Sequence, residues 1–417
     1  MRHYDARWVS LGATTDGVRV TGSLEGVRVL DLTSGSFGYA GRLFAGFGAD
    51  VVKVEPPEGD VLRTWPPFPQ DQPDIETSAR HLHLNAAKRS VTVNLDDESG
   101  QALLRDLVRH ADILIESYPR GYLAERGCAY DDLTTVRPDL VMASITHFGQ
   151  DGPYADFAGA EIVDMALGGY LKLTGDSDRE PVKCYDDMTL QHASLHAAVA
   201  CIGGLMRRDT TGEGDYYDVS AMDAAVTLNG GAVQMYHFSG RMLPRTGARL
   251  LSANPHYAYP STIRPCADGY VHCHSNNRHF DLLAALIPGV GLEELLETPM
   301  GNADAIDAKM DPWLADKTKH EVVQLAQELR LPFTEVFTPE EILSDPHLDE
   351  RGFLVDLHHP KAPPGMKQPG PAATMTATPW KSERAPLLGE HNDDILGGLL
   401  GLDPAAIDDL RASGVIS

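Results

Sequence analysis

The chain has no apolar stretch near the roughly 18 residues that a membrane-spanning helix requires, so no helical membrane anchor is expected. Its first 23 residues, MRHYDARWVSLGATTDGVRVTGS, contain no apolar segment of signal-peptide type. A cytoplasmic protein is therefore expected. Cysteine is scarce: the five thiols, Cys128, Cys184, Cys201, Cys266 and Cys273, are odd in number and form no CxxC pair. Reduced thiols fit that pattern better than a disulfide framework. Basic residues are too few to balance the acids, 35 against 60, which leaves a formal charge of −25. Nucleic acid and anionic membrane are poor general partners for such a field. A polyanionic ligand would need basic groups gathered locally. Two phosphate-binding signatures are also missing. The turn after the first strand-like run reads SGSFGYAG rather than GxGxxG, and no P-loop occurs, so a dinucleotide or nucleoside triphosphate site is disfavoured.

What is present reads as an α/β protein. At 417 residues, 42% of them apolar, the chain exceeds what one core fills, and two domains are expected. Val27, Val29, Leu30 and Leu32 form a short apolar run suited to a buried parallel strand. Tyr39 to Phe47 has helical character, ended by Gly48, and Val51, Val52 and Val54 make a second strand before Pro56-Pro57. SVTVNL, SGQALLRDLVRHA, DILIES and DLVMASITHFG continue the alternation. Strands alternating with helices imply a parallel, Rossmann-like sheet. From Glu161 to Met206 the pattern is helical, with a turn around Thr174 to Pro181, and VSAMDAAVTLNGGAVQMYHF continues as helix. Arg241 to Pro265 reads as a linking segment. DGYVHCHSNNRHFDLLAALI opens a second region as strand and helix, and HEVVQLAQELRLPFTEVFTPEEILSDPHL adds two helices. Lys361 to Pro379 is expected as an extended loop, and the tail DDILGGLLGLDPAAIDDLRASGVIS as an amphipathic helix. The large domain is placed at 18–225 and 335–417, and a smaller α/β domain at 240–330.

Several long segments resemble class III CoA-transferases, the family of formyl-CoA transferase, carnitine CoA-transferase and the related α-methylacyl-CoA racemases. They are LEGVRVLDLT, YAGRLFAGFGADVVKVEPPEGD, NAAKRSVTVNL, ADILIES, PDLVMASITHFGQDGPYADFAG, TTGEGDYYDVSAMDAA and ERAPLLGEHNDDIL. The resemblance implies a Rossmann-like large domain built from both chain ends, a smaller domain, and an interlocked homodimer. It implies acyl-CoA and carboxylic acids as ligands, coenzyme A as the carried group, and no metal. NAAKRS is similar to the family's basic turn near the CoA nucleotide, which makes Asn85, Lys88 and Arg89 candidate CoA contacts, since phosphates call for such donors. By residue type alone, a solvated charged turn entering a strand is an equal alternative. Ser117 and Tyr118 stand where relatives carry an Asn-Phe pair lining the cofactor cleft. Ser36-Phe37-Gly38-Tyr39 replaces the family's Ala-Gly-Pro turn, and Phe37 adds bulk where backbone would approach ligand.

The departure with most consequence lies in EPVKCYDDMTLQHAS, Glu180 to Ser194. The resemblance places the family's attacking aspartate at Leu190. A carboxylate can form a mixed anhydride in covalent catalysis, whereas an isobutyl group has no lone pair. Asp187, three residues earlier, would share a helix face with Leu190 if the stretch were helical; its position before an apolar run favours a helix cap together with Asp186. Glu161, at a position where relatives carry Asp or Glu, is a candidate second carboxylate, or simply an acid favoured at a helix start. The racemase histidine would fall at Ala160, so two-base racemisation is not expected. His192 reads as a helix residue, and His272, His274 and His279 as strand filler rather than a metal cluster. Three functions remain open: CoA transfer through a displaced carboxylate, a non-catalytic subunit paired with a paralogous chain, and a divergent acyl-CoA isomerase or lyase on the same scaffold.

Overall fold

The structure, a computed structural model, describes residues 22–250, 256–276, 278–287, 291 and 297–417. The expectations for the N-terminal segment, for a domain start at residue 18 and for part of the 241–265 link lie outside the described residues. The chain divides into two compact units. The first holds the residues up to Phe157, Leu190–Ser220 and Gly352–Ser417; the second holds Ala158–Thr189 and Ala221–Arg351.

The first unit is built on strand–helix alternation. β1 (Arg28–Leu32), α1 (Tyr39–Gly46), β2 (Asp50–Glu55), α2 (Ala79–Leu84), β3 (Arg89–Thr92), α3 (Glu98–Val108), β4 (Ile113–Glu116), α4 (Tyr130–Thr134) and β5 (Val141–Thr146) follow in order. After α5 (Glu161–Leu167) and the long α6 (Met188–Thr211) comes β6 (Asp215–Ser220). The six strands lie in the order β3-β2-β1-β4-β5-β6, and every neighbouring pair is parallel, with Val29 opposite Val51 and Leu30 opposite Leu114. Both faces are covered, which is why the inner strands read as continuous apolar runs rather than alternations. One face packs Leu30, Val52, Leu104, Leu107 and Leu114 together with Ile395, Leu396 and Ile416 from the C-terminal end of the chain. The C-terminal segment thereby completes the core of the first unit.

The tail forms two helices, Asn392–Gly398 and Pro404–Ala412, instead of one. Gly401 takes φ +72° between them, and Pro404 opens the second, where its missing N–H costs no helical bond. The expected 219–238 helix begins at Ala221, because the residues before it add the edge strand β6. Part of the 361–379 loop is ordered, Lys367–Pro369 pairing antiparallel with Leu354–Asp356.

The second unit contains a three-stranded antiparallel sheet, β7 (Ser261–Cys266), β8 (Gly269–His274) and β9 (Thr334–Glu335). Tyr259, Phe280, Ile306, Met310 and Phe333 form its core. His272 and His274 share one face of β8, their rings 6.0 Å apart. The sequence reading assigned 158–189 and 335–351 to the larger domain; the structure groups them here. α5 packs on α7 (Ala221–Leu228), and the Asn229 side chain donates to the Gly168 carbonyl at 2.6 Å. Lys319 pairs with Glu341, and β9 extends the β7–β8 sheet.

Candidate functional site

In doubly wound sheets, ligands settle outside the carboxyl ends of the strands where strand order reverses. Here that point lies between β1 and β4. The turns leaving those strands, Thr33–Gly38 and Ser117-Tyr118, meet there: the Ser34 N–H donates to Ser117 Oγ at 2.7 Å. The first turn is clamped from several sides. Lys53 donates to the Thr33 carbonyl, Lys88 to the Gly38 carbonyl at 3.0 Å, and Ser194 Oγ to the Phe37 carbonyl at 3.0 Å. Asp60 accepts from the Gly35 N–H at 3.4 Å. Gly35 itself has φ +59°, and a Cβ there would stand 3.3 Å from the Trp65 ring, so both conformation and space call for glycine. Phe37 is buried, edge-on to His147 with ring centroids 5.4 Å apart.

Beneath this turn lies a buried ionic cluster. Lys88 Nζ is 2.6 Å from Asp31 Oδ2 with both side chains at 0% exposure, and Lys53 lies 3.8 Å from Asp31 and 3.5 Å from Asp60. Burial alone would raise the Asp31 pKa, but the two ammonium groups hold it below the usual carboxylate range. Burial lowers Lys88 to about 8 against the pull of Asp31. The third hydrogen of Lys88 goes to Asn85 Oδ1 at 2.9 Å. An ammonium has three donors, and all three are committed within the fold. Asn85 Nδ2 in turn meets His81 Nδ1 at 3.0 Å. Burial, helped by Arg63, lowers His81 to about 3, so its ring is neutral and free to accept.

The structure therefore gives Asn85 and Lys88 a supporting place under the turn, not one that presents donors to phosphate. Arg89 lines, with Lys88, Lys381, Arg384 and His391, a cavity of about 520 Å³. Arg89 is the first residue of β3, at the amino edge of the sheet, where it forms a bidentate pair with Asp50 at 2.8 and 2.6 Å. That edge is opposite the carboxyl ends of the strands.

Ser117 and Tyr118 do lie at the carboxyl edge. The Tyr118 ring stacks on Tyr122 with centroids 4.3 Å apart and planes 12° from parallel, and the Arg126 guanidinium lies 3.5 Å from the Tyr122 ring centre. Arg126 also contacts Asp96 at 2.5 Å. Stacked aromatics beside a guanidinium are a surface of the kind that takes a heteroaromatic base and a phosphate; here Arg126 already donates to Asp96 and to the Tyr122 carbonyl. Tyr122 and Arg126 were missed in the sequence, although Tyr118, Tyr122 and Arg126 recur every fourth residue. The buried charges Asp31, Lys53, Glu55 and Glu116 were missed too; their signal is a charged residue inside or ending an apolar strand run.

The remaining sequence candidates lie around the start of α6. Leu190, 7% exposed, is in the helix's first turn, and its carbonyl accepts from Ser194 Oγ at 2.8 Å. The same hydroxyl lies 3.0 Å from the Phe37 carbonyl, and its single hydrogen is shared between the two oxygens, which links the Leu190 turn to the β1 turn. Within the second unit, Glu161 takes the Thr189 N–H at 2.9 Å on one oxygen and the Thr189 hydroxyl on the other. It works as a cap from a distance for the first turn of α6. Asp187 immediately precedes the first helical residue, Met188, which puts it at the helix entrance, three residues before Leu190.

The chain matches known proteins along most of its length. Residues 24–392 match CoA-transferase family III. The chain belongs to that family. The succinyl-CoA:(R)-benzylsuccinate CoA-transferase subunit BbsE of Thauera aromatica is 30% identical over 406 residues, covering 93% of this chain and 97% of that protein. The succinate–glutarate CoA-transferase of Agrobacterium fabrum is 32% identical, with 92% and 97% covered. A CAIB/BAIF family protein from Brucella suis superimposes with a TM-score of 0.80 at 28% identity, covering 91% of this chain and all of that one. The family III relatives are CoA-transferases acting on various acids, and CoA thioesters are their substrates. Among the described residues, no helix is long and apolar enough to cross a membrane.

Proposed function

We propose that this chain is a family III CoA-transferase subunit that recognises the CoA thioester but does not supply the attacking carboxylate. A paralogous chain in the same interlocked assembly supplies it. In the family's reaction a carboxylate oxygen attacks the thioester carbonyl, the C–S bond breaks, and a mixed anhydride and the CoA thiolate result. Leu190 has no lone pair for that step. The reading rests on the start of α6, where the resemblance assigns the family's aspartate position to Leu190, a buried aliphatic side chain, and where both oxygens of the nearby Glu161 are engaged by Thr189. The switch-point turns and the Tyr118–Tyr122–Arg126 stack support retention of CoA recognition. The Thauera relative is itself a CoA-transferase subunit, in keeping with a partnered chain.

The test is Leu190→Asp. The wild-type chain alone should bind CoA yet transfer none from succinyl-CoA to dicarboxylic acids. The variant should gain transfer at least 100-fold above background, with a hydroxylamine-trapped acyl group on the new aspartate. Turnover by the isolated wild-type chain would overturn the reading. A trapped acyl group on Asp187 would then mark CoA transfer through a displaced carboxylate.

A further inference from the structure

Behind the Ser117-Tyr118 turn, one buried carboxylate has no part in the reaction as described. Glu116 is the last residue of β4 and 3% exposed. Its Oε2 accepts from the Tyr118 N–H at 2.6 Å, and the Ser144 hydroxyl also bonds to it. Tyr216 OH donates to Ser144 Oγ at 2.9 Å, so a chain of polar hydrogens runs from β6 through β5 to β4. A cavity of about 260 Å³ reaches Glu116, Ser144, Tyr130, Asp131 and Tyr216, and it gives protons a route from solvent.

Among the described residues, no lysine, arginine or histidine lines that cavity, so nothing compensates the charge of Glu116 from that side. The titratable groups facing it are Tyr118 from the following turn, Tyr130 and Asp131 at the start of α4, and Tyr216 and Asp218 on β6. On the β1 side the paired residue is Leu32.

We propose that Glu116 is a positioning residue: ionised, it pins the Tyr118 N–H and so holds the Ser117-Tyr118 turn in the conformation that receives CoA. This rests on the reading that the Tyr118 stack is a CoA contact. A hydrogen bond to an ionised acceptor is roughly twice as strong as one to a neutral acceptor, so protonation loosens the turn without unfolding it. Burial pushes the carboxyl up to about 7, against the pull of the Ser144 and Tyr118 hydrogen bonds and with Asp218 adding to the rise, which brings the transition into the neutral range.

The experiment measures CoA affinity by calorimetry at pH 6 and pH 8 for wild type, Glu116→Gln and Glu116→Ala, and Tyr118 amide exchange without ligand. The CoA phosphate titrates near pH 6 for every protein, so the difference between proteins is the readout. Wild type should lose about five-fold more affinity than Glu116→Gln on going from pH 8 to pH 6. Its Tyr118 amide should exchange faster at pH 6 once intrinsic chemistry is corrected for. Glu116→Ala should bind CoA about ten-fold more weakly at pH 8. Parallel pH profiles for wild type and Glu116→Gln, or Tyr118 exchange indifferent to both pH and substitution, would overturn the proposal. If no protein binds CoA at millimolar concentration, the subunit's CoA recognition fails and the affinity claim with it, while amide exchange still decides whether Glu116 holds the turn.

Discussion

Replacing Glu116 by glutamine should change how stability depends on pH. In the unfolded chain a glutamate titrates at its ordinary 4.5, whereas the buried side chain titrates at about 7. Below pH 4.5 the carboxyl is protonated in both states, and folding carries no ionisation cost. Between 4.5 and 7 the unfolded chain releases its proton while the folded one retains it, so stability falls as pH rises. Above 7 both are ionised and the full cost is present. Each tenfold difference in proton affinity is worth about 1.4 kcal/mol, which gives a loss of about 3 kcal/mol across the window. An amide side chain cannot ionise, so the Glu116→Gln variant escapes that loss. Relative to wild type, its stability should rise from pH 4.5 to pH 8 by about 3 kcal/mol, whatever constant offset the amide introduces at Ser144. Urea unfolding at pH 5, 6, 7 and 8, followed by tryptophan fluorescence, measures the difference directly. A gap between variant and wild type that stays constant within about 0.5 kcal/mol would refute both the assigned burial and the reasoning from it.

The buried cluster allows a paired comparison. Lys88→Met should cost about 3 kcal/mol in urea unfolding, because Asp31 is left buried with only the more distant Lys53 as counter-charge, whereas Arg89→Ala, which breaks a partly exposed pair at the other sheet edge, should cost about 1 kcal/mol or less. Equal costs would contradict the difference in burial between the two pairs. Gly41→Ala should lower the melting temperature by several degrees, a loss of about 2 kcal/mol, because its Cβ would stand 2.0 Å from Asp31 Oδ2 and 2.8 Å from Lys88 Nζ. An unchanged melting temperature would mean that α1 does not pack against the ion pair.

Much of the large unit was legible because parallel strands buried on both faces carry an unmistakable signal. VRVLDL, VVKVE and DILIE each combine β-branched density with a following helix and a glycine or proline stop. The charged letters within them, Asp31, Lys53, Glu55 and Glu116, were the overlooked part. Their meaning depends on partners as far as 57 residues apart, and sequence spacing does not encode such pairings. For the same reason NAAKRS was open to two readings. Its donors look available in a string of letters, yet Lys88 spends all three inside the fold and Arg89 faces the far edge.

The amino-acid sequence by itself determined the alternating α/β plan, the family likeness, and the presence of an aliphatic side chain at position 190, since these depend on local pattern and residue type. Only the tertiary structure decided which carboxylates are already engaged, which edge of the sheet each basic residue faces, and that a glutamate ending a strand is buried beside the turn it steadies. Those properties arise from distances and desolvation between segments far apart along the chain, and they exist only once the backbone has closed around them.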